Sequence, residues 1–332
     1  MEKRVMVVGG SGNISTGVVR LLLEEGYHVS IFTRGSSSLP IPKEVEVVTG
    51  DRYDTETFIK TMRKGNYDYA IDMICMSPES ARTDIQAFPE VERMVFCSSG
   101  ASYGSLHGYA QPIREDYKEG NPQWSYGIAK RAAEDEFMAA YHEKRFPVTI
   151  IRPTVTFGRQ MTLNRQIGTD NVWVDRIRKG KPIVTGNPYL LRNFLHADDA
   201  AWAFVGALKH ECCIGQSYNM VGLKPYDWGT YHRAMLTVVG REVEMVEVTL
   251  ETLLHMQTDT FKIGEMITEN FKFNGYYSGE KIARDIPEFR PKIGLVEGLA
   301  MALEYIEQNG SIPNSDDFPY EDEIIRRQKS IW

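Results

Sequence analysis

Cysteine and histidine are scarce in this chain, four and seven in 332 residues, and neither is spaced for metal or disulfide chemistry. No CxxC occurs, and adjacent Cys212 and Cys213 are poorly placed to pair with each other. HExxH and similar zinc spacings are missing too. Cys75 and Cys97 lie in apolar runs, where a reduced thiol behaves as a small hydrophobe, a usage that suits a reducing cytoplasm. Long hydrophobic runs are also wanting. The opening run Val5–Val8 stops at Gly9, far short of a secretory core, and nothing approaches the ~20 apolar residues of a membrane span. A cytoplasmic protein with no membrane association is expected. Basic charge is not in surplus: 38 Lys and Arg against 45 Asp and Glu give a net charge of −7, which argues against a nucleic-acid partner held through its phosphates. What is present is ordinary globular composition, 42% hydrophobic and 25% charged, which excludes disorder and collagen-like repeats.

The first half alternates short apolar runs with helical patterns. Val5–Val8, Val29–Phe32, Val45–Val48, Tyr69–Ile74 and Met94–Cys97 read as parallel strands covered on both faces. Helical stretches at Gly17–Glu25 and Thr55–Lys64 lie between them. Repeated strand–helix–strand units predict an α/β fold with an open, doubly wound parallel sheet. Further on, Ser125–Lys144, Val172–Lys179, Ala197–Lys209 and Leu295–Gln308 read as helices, with strands at Val148–Ile151 and Ser217–Val221. The charged tail from Asp316 to Trp332 carries Phe318, Tyr320, Ile324 and Ile325, and is expected to dock.

The first strand runs into Gly9-Gly10-Ser11-Gly12-Asn13-Ile14-Ser15 and then a helix. Glycines there let the backbone turn tightly and approach a pyrophosphate at the helix N-terminus, where N–H groups and the helix dipole favour an anion. Gly9, Gly12, Asn13 and Ile14 are therefore candidate dinucleotide ligands. The second strand ends in Thr33-Arg34-Gly35-Ser36-Ser37-Ser38, without the acidic residue that takes the ribose hydroxyls of NAD. Arg34 with nearby hydroxyls can bind a 2′-phosphate instead, so the cofactor is NAD or NADP with the balance towards NADP. Asp51, after the third strand, has two readings: acceptor for the adenine amino group, or cap of the helix beginning near Thr55.

Ser98 and Ser99 stand just past the carboxyl end of the fifth strand, where open α/β sheets bind ligands. Tyr126-Gly127-Ile128-Ala129-Lys130 opens the long helix and puts Tyr126 and Lys130 one turn apart on a face that continues through Ala133 and Phe137. A lysine on an apolar stripe needs a reason, because an unpaired buried ammonium is costly. Its charge favours the ionised phenol and makes Tyr126 a usable general acid/base.

In order along the chain, Gly9-x-x-Gly12, Ser98-Ser99-x-x-x-Tyr103-Gly104, Tyr126-x-x-x-Lys130, Ile151-Arg152-Pro153-x-x-x-Phe157-Gly158, Arg192-Asn193-Phe194-Leu195-His196-Ala197-Asp198-Asp199 and Gly215-Gln216-Ser217-Tyr218-Asn219 cover about two-thirds of it. This set resembles the extended short-chain dehydrogenase/reductase superfamily, in particular its NAD-dependent epimerase/dehydratase branch. The resemblance implies a Rossmann-type lobe, residues 1–157 with 190–222 returning to it. A smaller substrate lobe from 158–189 and 223–332 is interleaved with it as one unit. It implies that Tyr126 moves a proton at a substrate hydroxyl, that Lys130 also holds the nicotinamide ribose, and that Ser99, four residues before Tyr103, orients the substrate oxygen. A sugar or nucleotide-sugar-like substrate and a homodimer follow from the same likeness. Two departures weaken the nucleotide-sugar reading: Thr154-Val155-Thr156 lacks the usual Asn, and Asp72-Met73-Ile74-Cys75 replaces a His-Ala-Ala-like segment. Arg192 is by position a ligand for a substrate phosphate or a structural surface arginine. Asp198 and Asp199 read as helix caps, and Trp124 as a packing residue. A simple carbonyl reductase, and a cofactor-holding RNA-binding or regulatory protein, are the alternatives.

Overall fold

The computed structural model describes residues 3–35, 41–104, 108, 110–117, 122–159, 162–257 and 261–330. Strand β1 (Arg4–Val8) sends Val5 and Val7 into one apolar layer and Met6 and Val8 into the other, all four sealed from water. A strand with no solvent face belongs mid-sheet, under helices on both sides. It is followed by α1 (Asn13–Glu24), β2 (His28–Thr33), β3 (Glu46–Thr49), α2 (Thr55–Gly65), β4 (Tyr69–Asp72), α3 (Pro78–Ala87), β5 (Arg93–Cys97), α4 (Ser125–Lys144) and β6 (Val148–Pro153). The chain then leaves the sheet through β7 (Val155–Phe157), β8 (Asn164–Arg165), β9 (Gly168–Thr169), α5 (Val172–Lys179), β10 (Ile183–Val184), β11 (Leu191–His196) and α6 (Ala197–Lys209). It returns with β12 (Gln216–Met220). The sheet has seven parallel strands in the order β12-β6-β5-β4-β1-β2-β3. The order reverses between β1 and β4, and the loops diverge there into a crevice at the strands' carboxyl ends.

Helices α1 and α6 cover one face through Val18, Leu22, Phe204 and Val205; α2, α3 and α4 cover the other through Phe58, Ala81, Ala133 and Phe137. The remaining elements are β13 (Pro225–Asp227), α7 (Trp228–Val239), β14 (Met245–Val246), α8 (Leu250–His255), α9 (Glu280–Asp285), α10 (Leu295–Gln308) and α11 (Tyr320–Lys329). Much of this part shares a core with α5 and β11, made of Trp173, Phe194, Trp228, Tyr231 and Leu299. Beside it lie a three-stranded sheet, β13-β11-β7, and the parallel pair β10-β14.

Several elements differ from the sequence reading for local reasons. Strand β3 is not covered on both faces: Glu46, Val47 and Thr49 are exposed because the strand is the sheet's outer edge. Strand β4 stops at Asp72 instead of Ile74, because the Asp72 carboxylate accepts the Ile74 N–H at 2.6 Å and turns the chain. Helix α1 starts at Asn13, four residues before the predicted start. Helix α3 was not predicted, although Ser77-Pro78 announces it: Ser77 caps the Ser80 N–H at 3.2 Å and Pro78 is the first helical residue. Asp198 and Asp199 do not cap α6. His196 does, accepting the Asp198 N–H at 3.2 Å. Asp198 instead pairs with Arg20 and Arg159, and Asp199 accepts the N–H groups of Lys292 and Ile293. The tail docks as α11, with Ile324 and Ile325 buried; Trp332 lies outside the described residues.

Candidate active site

The turn after β1 needs its glycines. Gly9 has φ +81°, and a Cβ there would lie 2.6 Å from Ile74 Cγ2; one at Gly10 would lie 2.4 Å from Ile31 Cγ2. Gly12 precedes α1 and gives its N–H to Ser15 Oγ at 2.7 Å. A Cβ on Gly12 would touch only that Oγ, at 3.4 Å, so the space over the turn is open. Half-buried Asn13 and Ile14 start the helix there. An open cradle at a helix N-terminus fits a dinucleotide pyrophosphate. Thr33 closes β2, contacting Ser11 Oγ at 3.5 Å and accepting the Gly35 N–H at 3.1 Å. Arg34 follows, exposed and in no ion pair among the described residues; Ser36, Ser37 and Ser38 lie outside them. Asp51 is exposed and accepts the Tyr53 N–H at 2.9 Å. Its reading as the cap of α2 fails, because Asp54 holds that place and accepts the Thr57 N–H at 3.3 Å.

Helix α4 carries Tyr126, Lys130 and Glu134 at successive turns of one face. Lys130 is 1% exposed. Its ammonium donates to the carbonyls of Cys75 at 2.9 Å and Cys97 at 2.8 Å and lies over the rings of Phe96 and Tyr126, 5.1 and 5.8 Å from their centroids. No carboxylate pairs with it among the described residues. Gly127 allows the approach of the serine turn, since a Cβ there would meet the Ala101 carbonyl at 2.5 Å. Ser99 Oγ accepts the Ala101 N–H at 3.1 Å and caps the 3-10 turn Gly100–Tyr103.

Behind Ser99 runs a buried polar network that sequence reading did not assemble. Ser98 donates to Glu134 at 2.5 Å, Arg152 holds the same carboxylate through Nε (3.0 Å) and Nη2 (2.7 Å), and Arg152 Nη1 donates to Tyr103. The Tyr103 hydroxyl donates to Asn219 Oδ1 at 2.7 Å. The Arg152 guanidinium holds the Glu134 carboxyl below the usual range although burial opposes this, while burial raises the Tyr103 phenol. The signal available in the sequence was the four-residue step from Lys130 to Glu134.

Arg192 is not a surface arginine. It is 2% exposed, without a carboxylate partner among the described residues, and donates to Asn270 Oδ1 (2.7 Å), to the Asn270 carbonyl and to the Phe273 carbonyl (2.9 Å). Burial pulls its pKa down to about 10. Arg192, Ser99, Trp124, Thr154 and Tyr277 line one cavity of about 130 Å3. Trp124 therefore borders the site as well as packing, its ring 5.0 Å from that of Tyr126. Beyond Phe271 a larger cavity of about 540 Å3 is lined by Gln166, Tyr189, Glu247, Leu253 and Lys272.

A seven-stranded parallel sheet, a glycine turn after its first strand and a Tyr–Lys helix beside the fifth make up the architecture of the extended short-chain dehydrogenase/reductases. The chain belongs to the NAD-dependent epimerase/dehydratase family, whose model matches residues 5–220. It is similar to a 2′-dehydrokanamycin reductase of Streptomyces kanamyceticus, 26% identical over 92% of this chain and 85% of that protein. The chloroplast stem-loop binding protein of 41 kDa b of Arabidopsis thaliana is 24% identical over 98% of this chain and 85% of its own. Among solved structures, the UDP-glucuronic acid 4-epimerase of Bacillus cereus in complex with NAD superposes with a TM-score of 0.73. It is 15% identical, with 92% of this chain and 99% of that one covered. The protein is an enzyme of the extended short-chain type.

Proposed function

We propose that the chain is an NAD(P)-dependent oxidoreductase acting at a hydroxyl or keto carbon of a sugar-type substrate, with Tyr126 as general acid/base. The observation that carries this is Lys130: a sealed ammonium without a counter-carboxylate among the described residues, lying against the Tyr126 ring. In this reading Tyr126, with the Lys130 ammonium against its ring, takes the proton of a substrate hydroxyl or returns it to a keto oxygen. Ser99 Oγ already accepts one N–H, so its own proton is available to the substrate oxygen. Two donors of Lys130 rest on carbonyls, leaving the third for a ribose hydroxyl. A bound nicotinamide dinucleotide supplies and accepts the hydride. Gly9, Gly12, Asn13 and Ile14 would hold its pyrophosphate and Asp51 its adenine amino group, and Arg34, with no acidic residue at the end of β2, favours NADP. Replacing Tyr126 by Phe is expected to leave cofactor affinity intact and to cut turnover by roughly 10²-fold or more; undiminished turnover rejects the assignment.

A cavity of about 130 Å3 suits a single ring beside Ser99, and Arg192 in its wall suits an anionic group of the substrate, because a desolvated guanidinium with no carboxylate partner among the described residues is stabilised by a negative charge. The Streptomyces relative supports net reduction as the second reading. A dinucleotide that co-purifies and is recycled favours epimerase or dehydratase chemistry; one that exchanges freely favours a reductase. Residues 1–157 with 190–222 form the dinucleotide lobe in this reading, and 158–189 with 223–332 the substrate lobe. The net charge of −7 supports a small-molecule partner over a nucleic acid, and the buried thiols Cys75, Cys97 and Cys213 support a cytoplasmic setting. Partly exposed Met76 and Ile128, beside and on the helix pair α3–α4, support a homodimer through those helices, which sedimentation at micromolar concentration checks.

A further inference from the structure

One buried charged cluster has no part in the site described so far. Arg52, in the turn after β3, points inward beneath the crevice and donates to Asp72 Oδ2 at the end of β4, to Asp84 Oδ1 on α3 at 2.8 Å, and to the Ser80 carbonyl at 3.2 Å. Arg52 is 5% exposed and both carboxyl groups are sealed. Burial, and then the neighbouring Asp72 charge, raise the Asp84 carboxyl well above the usual range. Three ionisable side chains taken out of water are expensive, and replacing such a cluster by apolar groups of similar volume is often neutral or stabilising. Stability is therefore a poor reason for its presence.

What the cluster holds supplies a better one. The second oxygen of Asp72 accepts the Ile74 N–H at 2.6 Å, and Arg52 reaches the first turn of α3, so the loop 73–77 is tied at both ends. Two contacts leave that loop for the site. The Ile74 side chain lies on Gly9 of the glycine turn, and the Cys75 carbonyl accepts from Lys130 Nζ at 2.9 Å. We propose that Arg52, Asp72 and Asp84 are positioning residues that clamp the 73–77 loop and, through the Cys75 carbonyl, set Lys130 for the cofactor ribose. An ammonium with three donors and a flexible stem has many places to point. Two fixed carbonyls leave its third donor one direction, and the clamp fixes one of those carbonyls.

This rests on the reading of Lys130 as ribose anchor, and a double-mutant cycle separates the two. NADH affinity is measured by fluorescence titration for the wild type, Asp72→Asn, Lys130→Met and the double variant, with thermal unfolding alongside. An amide at position 72 can serve the Ile74 N–H or the Arg52 guanidinium, but not both. Asp72→Asn is expected to weaken NADH about tenfold in the wild type and less than about twofold once Lys130 is gone, the coupling a shared route requires. Equal weakening in both backgrounds, or none in either, overturns the clamp while leaving Lys130 its role. If Lys130→Met alone leaves NADH affinity unchanged, the ribose-anchor reading fails and the clamp with it. Should Asp72→Asn fold poorly, the apolar variant Arg52→Met/Asp72→Leu/Asp84→Leu decides. Wild-type stability with NADH weakened about tenfold supports the clamp, and wild-type affinity refutes it.

Discussion

Lys130 and Arg192 are both cations sealed from water with no carboxylate beside them among the described residues, and Arg192 lines the cavity beside Ser99. Each is held by backbone carbonyls, which satisfy donors without cancelling the charge, so the charge stays available to a ligand. Arg34 is the opposite case, an exposed cation in no ion pair among the described residues. Arg34→Ala is expected to weaken NADP about tenfold or more and NAD by less than about twofold; equal losses remove Arg34 from the site. Asp84 is a different kind of buried charge. Its folded carboxyl ionises later than its unfolded one, so the stability it contributes is present at low pH and lost as pH rises through the folded value. Asp84→Asn keeps an acceptor for Arg52 and presents an N–H towards Asp72, as the protonated acid does. The variant is expected to unfold at a higher temperature than the wild type at pH 8 and to lose that advantage at pH 4, as calorimetry at the two pH values would show.

At the scale of elements, the face of α4 repeats every four residues: Tyr126, Lys130 and Glu134 meet the Trp124 ring, the strand ends and the Arg152 network in turn. Helix α11 is held by charge as well as by buried Ile324 and Ile325. Glu321 is fully buried, accepting from Arg165 Nη1 at 2.8 Å and from the Val184 N–H at 2.7 Å, so it joins α11 to β8 and β10 in one contact set. Removing one partner of a buried pair leaves the other uncompensated, at a cost of about 3–5 kcal/mol. Glu321→Gln is expected to lower unfolding stability in denaturant by about that amount, whereas Glu323→Gln, on the same helix but in contact with solvent, should leave it close to that of the wild type. Similar losses for the two would show that α11 is not anchored through Arg165.

For the molecule as a whole, the acid side of the stability curve should be set partly by His232. It is buried among Trp173, Trp228 and Tyr231, makes one contact through Nδ1 to the Trp228 carbonyl at 2.7 Å, and burial pulls its pKa down to about 3. The unfolded chain protonates near the ordinary value of 6.5 and the folded one does not, so stability falls as pH drops below about 6, by up to ~1.4 kcal/mol per pH unit. His232→Leu is expected to flatten that slope between pH 6 and pH 4; an unchanged slope would assign it to other groups. Along the chain itself, the parallel sheet, the glycine turn and the Tyr126–Lys130 step were all legible, because each is written in neighbours within one turn or one strand. Burial was legible only where a helix period or a run of β-branched residues displayed it, which is why edge strand β3 was misread. The amino-acid order alone thus determined a doubly wound dinucleotide fold and its tyrosine–lysine pair. Only the folded chain decided that Arg192 is sealed, that Glu134 meets Arg152 across 18 positions, and that Arg52 reaches Asp72 and Asp84 across 20 and 32. Local periodicity carries no information about which distant side chains share a low-dielectric interior, and it is there that a charge is paired, neutralised or kept for a ligand.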